Sequence, residues 1–479
     1  MLEEPKRQEK MWRVEAASAR RAYESARPFS HVVLRDVFND RALRLAKKEA
    51  IEGLRADFKE TDLFKVYQVP TDLGQIKTPH LGALRDALYS AEFRAMVRDV
   101  TGAPELADRV DCSANVYKEG GHLLCHDDAI GSRCVSYVVY LVDDDWNPEN
   151  GGGFELFDAT GCVGRVAPAF NSMVLFAVQP GASFHAVQEV YSGMRLSISG
   201  WYHAVEPPQG KSTLEDLSAG TSEPMDPSYF RSDDHPLSEW IAPEYLEDTM
   251  LSQLSQRFAE ESAIRLDRIL RPDLAARLRE ECSRLEPTDD WEPAGPPHKR
   301  RYVTASSGLF WDIAQKTRTI SFQKWLQNLS GVRPEAARCA VRRFRPGSDY
   351  TIACATNEPA RLDLTFCFLA TDSDLWDSGD VGGFETYLAA DDDDREDVYE
   401  SGEGEGDGSD LLSVRATHNA LTLVLRDPGT LRFVKYISKA APSSRFDIEL
   451  VCQLHPDDLP DPLEEQQQLE NDDSSSSSS

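Results

Sequence analysis

The spacing of hydrophobic residues changes along the first half of the chain. Residues 38–54 and 84–102 repeat their hydrophobic positions at helical spacing, and the second run ends in a glycine, as many helices do. From 110 to 204 the pattern changes to short runs of β-branched and aromatic residues, such as "CVSYVVYLV" and "RLSISGWYH", separated by glycine and proline. Short strands at this spacing predict a barrel or jelly roll that follows a group of helices.

One short stretch of this predicted barrel, "CHDDAI" at 125–130, carries candidate metal ligands. His126 and Asp128 lie two residues apart, so on a strand their side chains would point to the same face. His185, in "PGASFHAV", belongs to a later strand that a barrel would bring opposite them. Two imidazoles and one carboxylate leave three metal positions open, which suits non-haem Fe(II) with a cosubstrate and dioxygen. An H-x-D pair by itself also fits ordinary surface polar residues.

The strand "RLSISGWYH" adds a polar face near these ligands. Arg195 and Ser197 share one side of it, whereas Leu196 and Ile198 share the other. An arginine that points into a barrel needs a carboxylate partner, and a small dicarboxylate bound to the metal would supply it. Tyr140 has the parity to offer its hydroxyl to the same carboxylate. The alternatives are an ion pair of Arg195 with a neighbouring acidic residue and a plain core role for Tyr140.

These residues resemble a known family. His126, Asp128, His185 and Arg195, ten residues beyond the second histidine, are similar to the prolyl-hydroxylase branch of the iron and 2-oxoglutarate oxygenases. The segments "LLCHDD", "GGFELF" and "RLSISGWYH" resemble, more narrowly, the ribosomal prolyl 3-hydroxylases. This resemblance is strong over 110–203 and weaker elsewhere in the chain.

The resemblance implies a set of cofactors and a substrate. Fe(II) would bind His126, Asp128 and His185, and the distal carboxylate of 2-oxoglutarate would bind Arg195 and Tyr140. O2 is the other cosubstrate, and ascorbate is expected as a further cofactor. The implied substrate is a proline in a small-subunit ribosomal protein near the decoding centre, whose hydroxylation affects translation.

The implied fold class is α+β, mainly β, with two tandem double-stranded β-helix (jelly-roll) domains and flanking helices. The chain has 479 residues, which is enough for two such domains. The predicted divisions are an N-terminal helical or flexible segment (1–27), a catalytic Fe(II)/2-oxoglutarate oxygenase domain (28–205), a linker (206–239), a second β-helix domain without metal ligands (240–455) that contains an acidic loop (391–410), and an acidic, serine-rich tail (456–479). The loop and the tail are expected to be disordered.

The second half repeats features of the first, and the repeat predicts where its metal ligands would stand. "GGFE" occurs at 152 and again at 382, and "QPGASFH" can be aligned with "DPGTLRF". Setting "VYKEGGHLLCHDD" on "RFRPGSDYTIACAT", with Tyr117 on Phe344, places Ala353 and Ala355 at the positions of the first two ligands. The alignment of "QPGASFH" with "DPGTLRF" places Phe433 at the position of the third. We therefore expect the second domain to bind neither iron nor 2-oxoglutarate, and to help dock a basic substrate.

Charge and composition narrow the partners and the location. The formal charge of -30 disfavours direct binding to nucleic acid and favours a basic protein partner. No signal-peptide core and no run of eighteen apolar residues is present, so we expect a protein of the cytoplasm and/or nucleus that does not enter membranes. Nine scattered cysteines predict free thiols. "HKRR" at 298–301 is either a nuclear-import patch or, more in keeping with its shortness, a solvated loop.

Several functions stay open at this point. An oxygenase that modifies lysine, or proline at its 4-position, would use the same ligands. An oxygenase of nucleic-acid bases would need a basic groove with stacking aromatic residues, which the acidity of the chain disfavours. A non-catalytic interaction scaffold that has kept the barrel is the alternative from another class. The sequence does not indicate an oligomeric state.

Overall fold

A computed structural model describes residues 11–70, 72–206, 224–231, 235–353, 358–389 and 410–459. Its contacts divide the chain into two units. The first is Met1–Gly220 with Pro296–Lys299, and the second is Thr221–Gly295 with Arg300–Ser479. In each unit, helices pack on one face of a curled antiparallel sheet.

Most strands of the first unit follow its helices in the chain. Its helices are α1 (Ala16–Ser25), α2 (Asp40–Gly53), α3 (Pro79–Tyr89) and α4 (Ala91–Thr101). Its strands are β1 (His31–Arg35), β2 (Asp57–Glu60), β3 (Phe64–Gln68), β4 (Leu106–Val110), β5 (Ser113–Tyr117), β6 (His122–His126), β7 (Arg133–Tyr140), β8 (Phe154–Asp158), β9 (Gly161–Val166), β10 (Ser172–Ala177), β11 (His185–Val187) and β12 (Arg195–Ala204). Strands β1, β2 and β3 lie between the helices, whereas the strands from β4 onward follow α4, as the sequence pattern predicts.

Local signals explain where the helices begin and end. The side chain of Asn39 accepts a hydrogen bond from the Ala42 N–H at the start of α2, and Ser90 does the same for the Phe93 N–H at the start of α4. Helix α4 ends at Gly102, whose φ of 69° lies in the left-handed region that glycine adopts without a steric cost.

The sheet of the first unit has the strand order β1-β10-β7-β12-β5-β3-β6-β11-β8-β9. One face of its central strands packs against the helices: Val139 of β7 and Ile198 of β12 share a core with Leu84 of α3 and Phe93 of α4. The opposite face of β12 is polar, as predicted. This alternation leaves a polar interior opposite the helix-covered face.

The second unit repeats this design. Its helices are α5 (Asp248–Glu261), α6 (Pro272–Leu285), α7 (Leu309–Lys316), α8 (Ile320–Ser330) and α9 (Asp374–Ser378). Its strands are β13 (Ala263–Asp267), β14 (Glu292–Ala294), β15 (Arg300–Thr304), β16 (Pro334–Phe344), β17 (Tyr350–Thr351), β18 (Arg361–Leu369), β19 (Glu385–Leu388), β20 (Asp410–Val414), β21 (Ala420–Arg426), β22 (Leu431–Val434) and β23 (Arg445–Leu454).

Two sheets make up the β-structure described in the second unit. The larger has the order β13-β21-β18-β23-β16-β15-β14, and the smaller has the order β20-β19-β22. Strand β18 shows how the two faces differ: Leu362, Leu364 and Phe366 belong to the apolar core, whereas Asp363 and Thr365 form polar contacts on the other face. The prediction of a mainly β fold of the double-stranded β-helix type is confirmed.

Several predicted segments differ from the structure or lie outside the described residues. Within the predicted linker, residues 224–231 pack in the second unit, where Tyr229 is buried. The segment 298–301 is not a solvated loop, because its two arginines begin β15. The loop 391–410 lies outside the described residues except for Asp410, as does most of the predicted tail. The predicted domain boundaries stay predictions.

Two expectations about the chain as a whole meet structural findings. The cysteines in the described part of the chain are free thiols, as predicted. Among the helices of the described residues, none combines the length and the apolar character needed to cross a bilayer.

Candidate metal centre

Three side chains with metal-binding atoms meet inside the first unit. His126 ends β6 and His185 begins β11, and the two residues are direct partners in the antiparallel pair of these strands. Asp128 lies between them: its Oδ1 is 3.3 Å from Nε2 of His126, and its Oδ2 is 3.4 Å from Nε2 of His185. The ligand atoms all lie within 4.8 Å of one another, and the described residues contain no other such group. The structure thus brings together the three predicted ligands.

The carboxylate reaches this point in a different way from the one predicted. Strand β6 ends at His126, so Asp128 is not on the strand and strand parity does not align the two side chains. Instead, Asp128 has a φ of 61°, in the left-handed region that few non-glycine residues adopt. The Ile130 N–H donates to the Asp128 carbonyl oxygen at 2.8 Å, which closes the turn. A tight turn, rather than a strand, directs the carboxylate back toward His126.

Both imidazoles are oriented by the backbone. Nδ1 of His126 lies 2.8 Å from the carbonyl oxygen of Leu124, and Nδ1 of His185 lies 2.9 Å from that of Ser183. A carbonyl oxygen can only accept, so each Nδ1 carries the hydrogen. When the ring is neutral, its Nε2 then has a lone pair that faces the centre, which is the form that binds a metal ion.

Asp127 is not among the residues that the sequence pattern singles out, yet it joins the two turns that position the ligands. Its Oδ1 accepts from the Ala129 N–H at 3.1 Å, and its Oδ2 accepts from the Gly181 N–H at 2.8 Å. The Ser183 hydroxyl donates to its carbonyl oxygen at 3.1 Å. The sequence does contain a signal for Asp127. "HDD" has two carboxylates, and a metal ion with one carboxylate ligand uses only one of them.

The electrostatics of the cluster favour an ionised carboxylate. Burial raises the pKa of Asp128, but the imidazoles of His185 and His126 outweigh it and hold that pKa well below its usual range. Burial lowers the pKa of His185, and the neighbouring His126 lowers it further. For His126, burial acts in the same direction, but Asp128 outweighs it and raises the pKa. A carboxylate facing imidazole nitrogens is a donor set that divalent iron accepts.

A buried arginine lies in the same interior. Arg195 is 1% exposed; its Nε donates to the Gly152 carbonyl oxygen at 2.8 Å, and its Nη1 donates to the Ser197 hydroxyl at 3.2 Å. Its guanidinium carbon lies 5.0 Å from the ring centres of both Tyr117 and Tyr140. Among the described residues, no carboxylate lies within ion-pair distance of Arg195. The neighbouring acidic partner considered from the sequence is therefore not found.

Two tyrosine hydroxyls accompany this arginine. The Tyr140 hydroxyl is buried without a hydrogen-bond partner within the described part of the chain. Tyr117, which is absent from the sequence-based candidates, is paired directly with Arg195 across β5 and β12. Burial raises the pKa of Tyr117 to about 12 and also raises the pKa of Tyr140, so both phenols stay protonated and can donate. In the sequence, the feature that could have indicated Tyr117 is its position in "VYKEGG", one strand before the metal ligands.

Two of the three glycines before β8 allow close contacts around the arginine. Gly152 has a φ of 69°, and a Cβ there would lie 2.8 Å from Cδ of Arg195. At Gly151 a Cβ would lie 2.1 Å from the Glu189 carbonyl oxygen. Gly152 thus allows the close approach of the backbone to the Arg195 side chain, and Gly151 allows that to the Glu189 backbone.

Comparison with known proteins agrees with this geometry. Residues 112–203 match the family model of the 2OG-Fe(II) oxygenase superfamily, and residues 232–458 match the model described as oxoglutarate and iron-dependent oxygenase degradation C-term. A prolyl 3,4-dihydroxylase of Ostreococcus tauri is 37% identical over 89% of this chain and 95% of its own length. The chain belongs to the prolyl 3-hydroxylase family of iron- and 2-oxoglutarate-dependent oxygenases.

Other members of this prolyl 3-hydroxylase family are also similar along most of the chain. The prolyl 3-hydroxylase of Xenopus laevis is 29% identical over 86% of this chain and 83% of its own length. That of Mus musculus is 28% identical over 87% of both chains. Among solved structures, a Pseudomonas putida prolyl-4-hydroxylase aligns with 39% of this chain and 100% of its own, with 22% identity and a TM-score of 0.33.

The residues of the first unit fit the two groups that this prolyl 3-hydroxylase family uses, Fe(II) and 2-oxoglutarate. The two Nε2 atoms and the ionised Asp128 present one donor each toward a shared point. Arg195 has guanidinium donors without a carboxylate partner among the described residues, and the Tyr140 hydroxyl is buried without a partner there. Burial of an unpaired guanidinium and an unpaired hydroxyl costs free energy unless a carboxylate accepts hydrogen bonds from them.

The second unit retains the same arginine position. Arg445 begins β23 as Arg195 begins β12, and its Nη1 donates to the Gly383 carbonyl oxygen at 2.6 Å, as Arg195 does to that of Gly152. Here, however, carboxylates of the chain itself surround the guanidinium. Asp447 lies 3.0 Å from Nη2 of Arg445.

The contacts of the two buried arginines give a register that differs by one residue from the alignment that placed Phe433 at the position of His185. The repeated "GGFE" sets Gly382 on Gly152, and in that register Thr386 and Phe433 pair as Leu156 and His185 do. When Gly383 is set on Gly152, the strand pair Tyr387 and Arg432 corresponds to the pair Leu156 and His185. In that register the turn before β22 is one residue shorter than the turn before β11, because four residues lie between Asp427 and Arg432 where five lie between Gln179 and His185. In the register of the arginine contacts, Arg432 therefore takes the place of the imidazole.

The structure also shows where other residues of the sequence alignments lie. The Phe433 side chain packs with Leu388 and Leu431, and Ala353 contacts the same cluster. Ala355 lies outside the described residues. That the second unit binds neither iron nor 2-oxoglutarate stays a prediction.

Proposed function

We propose that this chain hydroxylates a proline of a basic, small-subunit ribosomal protein, with Fe(II) bound by His126, Asp128 and His185 and with 2-oxoglutarate bound by Arg195 and Tyr140. Membership of the family makes the chain a 2-oxoglutarate-dependent prolyl hydroxylase. The observation that supports the residue roles is the meeting of three ligand atoms within 4.8 Å in the same interior as a buried arginine that has no carboxylate partner among the described residues.

When bound, Fe(II), 2-oxoglutarate and O2 supply the oxidising chemistry. The chain's own residues position these groups. The guanidinium fork of Arg195 suits a carboxylate, and the Tyr140 hydroxyl can donate to the same group. Aromatic rings pack around the second histidine: the ring of Phe176 lies 4.5 Å from that of His185, and the ring of Phe154 lies 5.4 Å from it. These rings limit the access of water to that side of the centre.

The nature of the substrate has weaker support, which comes from charge and relatives. The net charge of -30 favours encounter with a basic protein, and ribosomal proteins are of this kind. The relatives named above are prolyl 3-hydroxylases, and the one with 37% identity is a prolyl 3,4-dihydroxylase. Ascorbate as a further cofactor and a location in the cytoplasm and/or nucleus are part of the same proposal.

Mass spectrometry of modified substrate tests this function. Purified small-subunit ribosomal proteins are incubated with the full chain, Fe(II) and O2, with and without 2-oxoglutarate. We expect a mass gain of one oxygen atom on a proline, only when 2-oxoglutarate is present; a gain of two would match the dihydroxylase relative. The His126→Ala variant is the control. A modified lysine, or no modified ribosomal protein, would contradict the proposed substrate.

A further inference from the structure

The interior of the second unit contains a network of arginines and carboxylates. Six strands and the segment before β18 contribute to it. Its cations are Arg338, Arg342, Arg361, Arg426, Arg432 and Arg445, and its anions are Glu358, Asp363, Glu385, Asp447 and Glu449. These described residues therefore have one positive charge in excess.

Ion pairs connect most of this network. Arg342 and Arg445 both pair with Asp447, at 2.7 and 3.0 Å. Arg432 pairs with Glu449 at 2.9 Å and contacts Glu385. In the register of the arginine contacts, Arg432 and Arg445 stand at the positions that correspond to His185 and Arg195 of the first unit. In the second unit, the chain itself supplies both the positive and the negative charges around these positions.

Arg361 is the exception in this network. It is 8% exposed, and its Nη1 donates a long hydrogen bond of 3.4 Å to the Ala360 carbonyl oxygen. Its Nε is buried without a hydrogen-bond partner, and no carboxylate of the described residues lies within ion-pair distance. Burial of a guanidinium without an ion-pair partner costs free energy. The excess positive charge of the network is therefore assigned to Arg361, which has no ion pair with the described residues.

Two further arginines lie beside Arg361. Arg426 is its direct partner across β18 and β21. Arg426 and Arg338 converge on the same carboxylate, that of Glu358, at 3.6 and 3.2 Å. The side chains of Arg338 and Glu358 retain 20% and 23% exposure, so the group reaches solvent on this side. We call Arg338, Arg361 and Arg426 the arginine cluster.

We propose that the arginine cluster of the second unit binds one oxyanion, such as a phosphate or carboxylate group, through Arg361. One such group would supply the missing negative charge and accept from the unused Nε–H, and guanidinium forks match both chemistries. Burial lowers the pKa of Arg361, the carboxylate of Glu358 opposes this, and the charges of Arg338 and Arg426 lower it further. An added anion would relieve that repulsion.

Calorimetric titration of the full chain with inorganic phosphate, and separately with acetate, measures this binding against sodium chloride of the same ionic strength. We expect Arg361→Gln to weaken oxyanion binding by about tenfold or more. Because Arg195 offers another cationic position, only the binding that Arg361→Gln removes counts. Arg338→Gln, at a more exposed position, should weaken it as well, and Arg265→Gln, an exposed arginine on β13, should not. Wild-type titrations without saturable binding, or equal binding by Arg361→Gln, would overturn the proposal.

A stability measurement separates a binding site from a structural charge. Arg361 has no ion pair with the described residues, so Arg361→Met should leave the melting temperature without oxyanion unchanged or raised. The rise of melting temperature that phosphate or acetate causes in the wild-type chain should be absent in this variant. A large loss of melting temperature in chloride alone would show that Arg361 is needed for folding as it stands, and would overturn the proposal.

Discussion

The carboxylate of Asp127 accepts a hydrogen bond from the backbone N–H of Gly181 at 2.8 Å, which joins the turn after His126 to the turn before His185. The Ser183 hydroxyl adds a second link, because it donates to the Asp127 carbonyl oxygen at 3.1 Å. The two histidine ligands, which are distant in sequence, are thereby linked by a residue that is adjacent to His126 in the chain.

Removal of the Asp127 carboxylate should weaken metal binding. In Asp127→Ala the two turns lose their side-chain link, and supporting residues around metal ligands typically contribute about 10- to 100-fold in affinity. Calorimetric titration with Mn(II) measures the change without reliance on activity, and Asp145→Asn, at an exposed position, is the control. Mn(II) affinity equal to that of the wild type would show that the turns hold their geometry without this carboxylate.

Replacement of a proposed ligand should abolish turnover of 2-oxoglutarate. His126→Ala and His185→Ala each remove one of three donors, and the described residues offer no fourth group within reach. Succinate formation, measured with saturating Fe(II), should fall to background. His455→Ala, which changes a partly exposed histidine of the second unit, should keep normal turnover. Near-normal succinate formation by His126→Ala would make the metal assignment wrong.

Arg195 and Tyr140 should affect cosubstrate binding to different degrees. Loss of a bidentate, charged partner predicts a rise of about 100-fold in the KM for 2-oxoglutarate in Arg195→Ala. Tyr140→Phe removes a single hydroxyl, so a rise of about tenfold is expected. Arg165→Ala, which changes a half-exposed arginine on β9, is the matched control. If Arg195→Ala keeps its KM, the arginine does not bind the cosubstrate carboxylate.

Acid should remove a stabilising contribution of Glu385 in the second unit. Burial raises the pKa of Glu385, but the charges of Arg432, Arg445 and Arg342 outweigh it and lower the pKa to about 2. The pKa in the unfolded chain is about 4.3. Because the folded pKa is the lower one, the contribution is present above about pH 4.3 and is lost as the pH falls toward about 2.

Urea denaturation at neutral and acid pH tests this contribution. Glu385→Gln should lower the free energy of unfolding of the second unit more at pH near 7 than at pH near 3. Glu280→Gln, which changes an exposed glutamate on α6, should show no such difference. A deficit of Glu385→Gln that does not depend on pH would contradict the stabilising role of the charge.

The sequence by itself determines much of this site. The alternation along "RLSISGWYH" assigns Arg195 and Ser197 to the interior and Ile198 to the helix-covered core, and both assignments are found. Such a pattern is informative because side chains on a strand alternate at every residue, which is a local property of the backbone. The ligand types could be identified from residue chemistry, and their chain separation was enough to expect a later strand opposite His126.

Tertiary structure alone decides the details that depend on turns and on distant contacts. Asp128 reaches the centre through a left-handed turn, and in the register of the arginine contacts the shorter turn before β22 places Arg432 where the alignment placed Phe433. Asp127 joins Gly181 across more than fifty residues. The periodicity of a strand shows which of its side chains share a face. One residue more or less in the preceding turn, however, moves those side chains to the opposite face of the sheet. The register is then selected by long-range hydrogen bonds between strands.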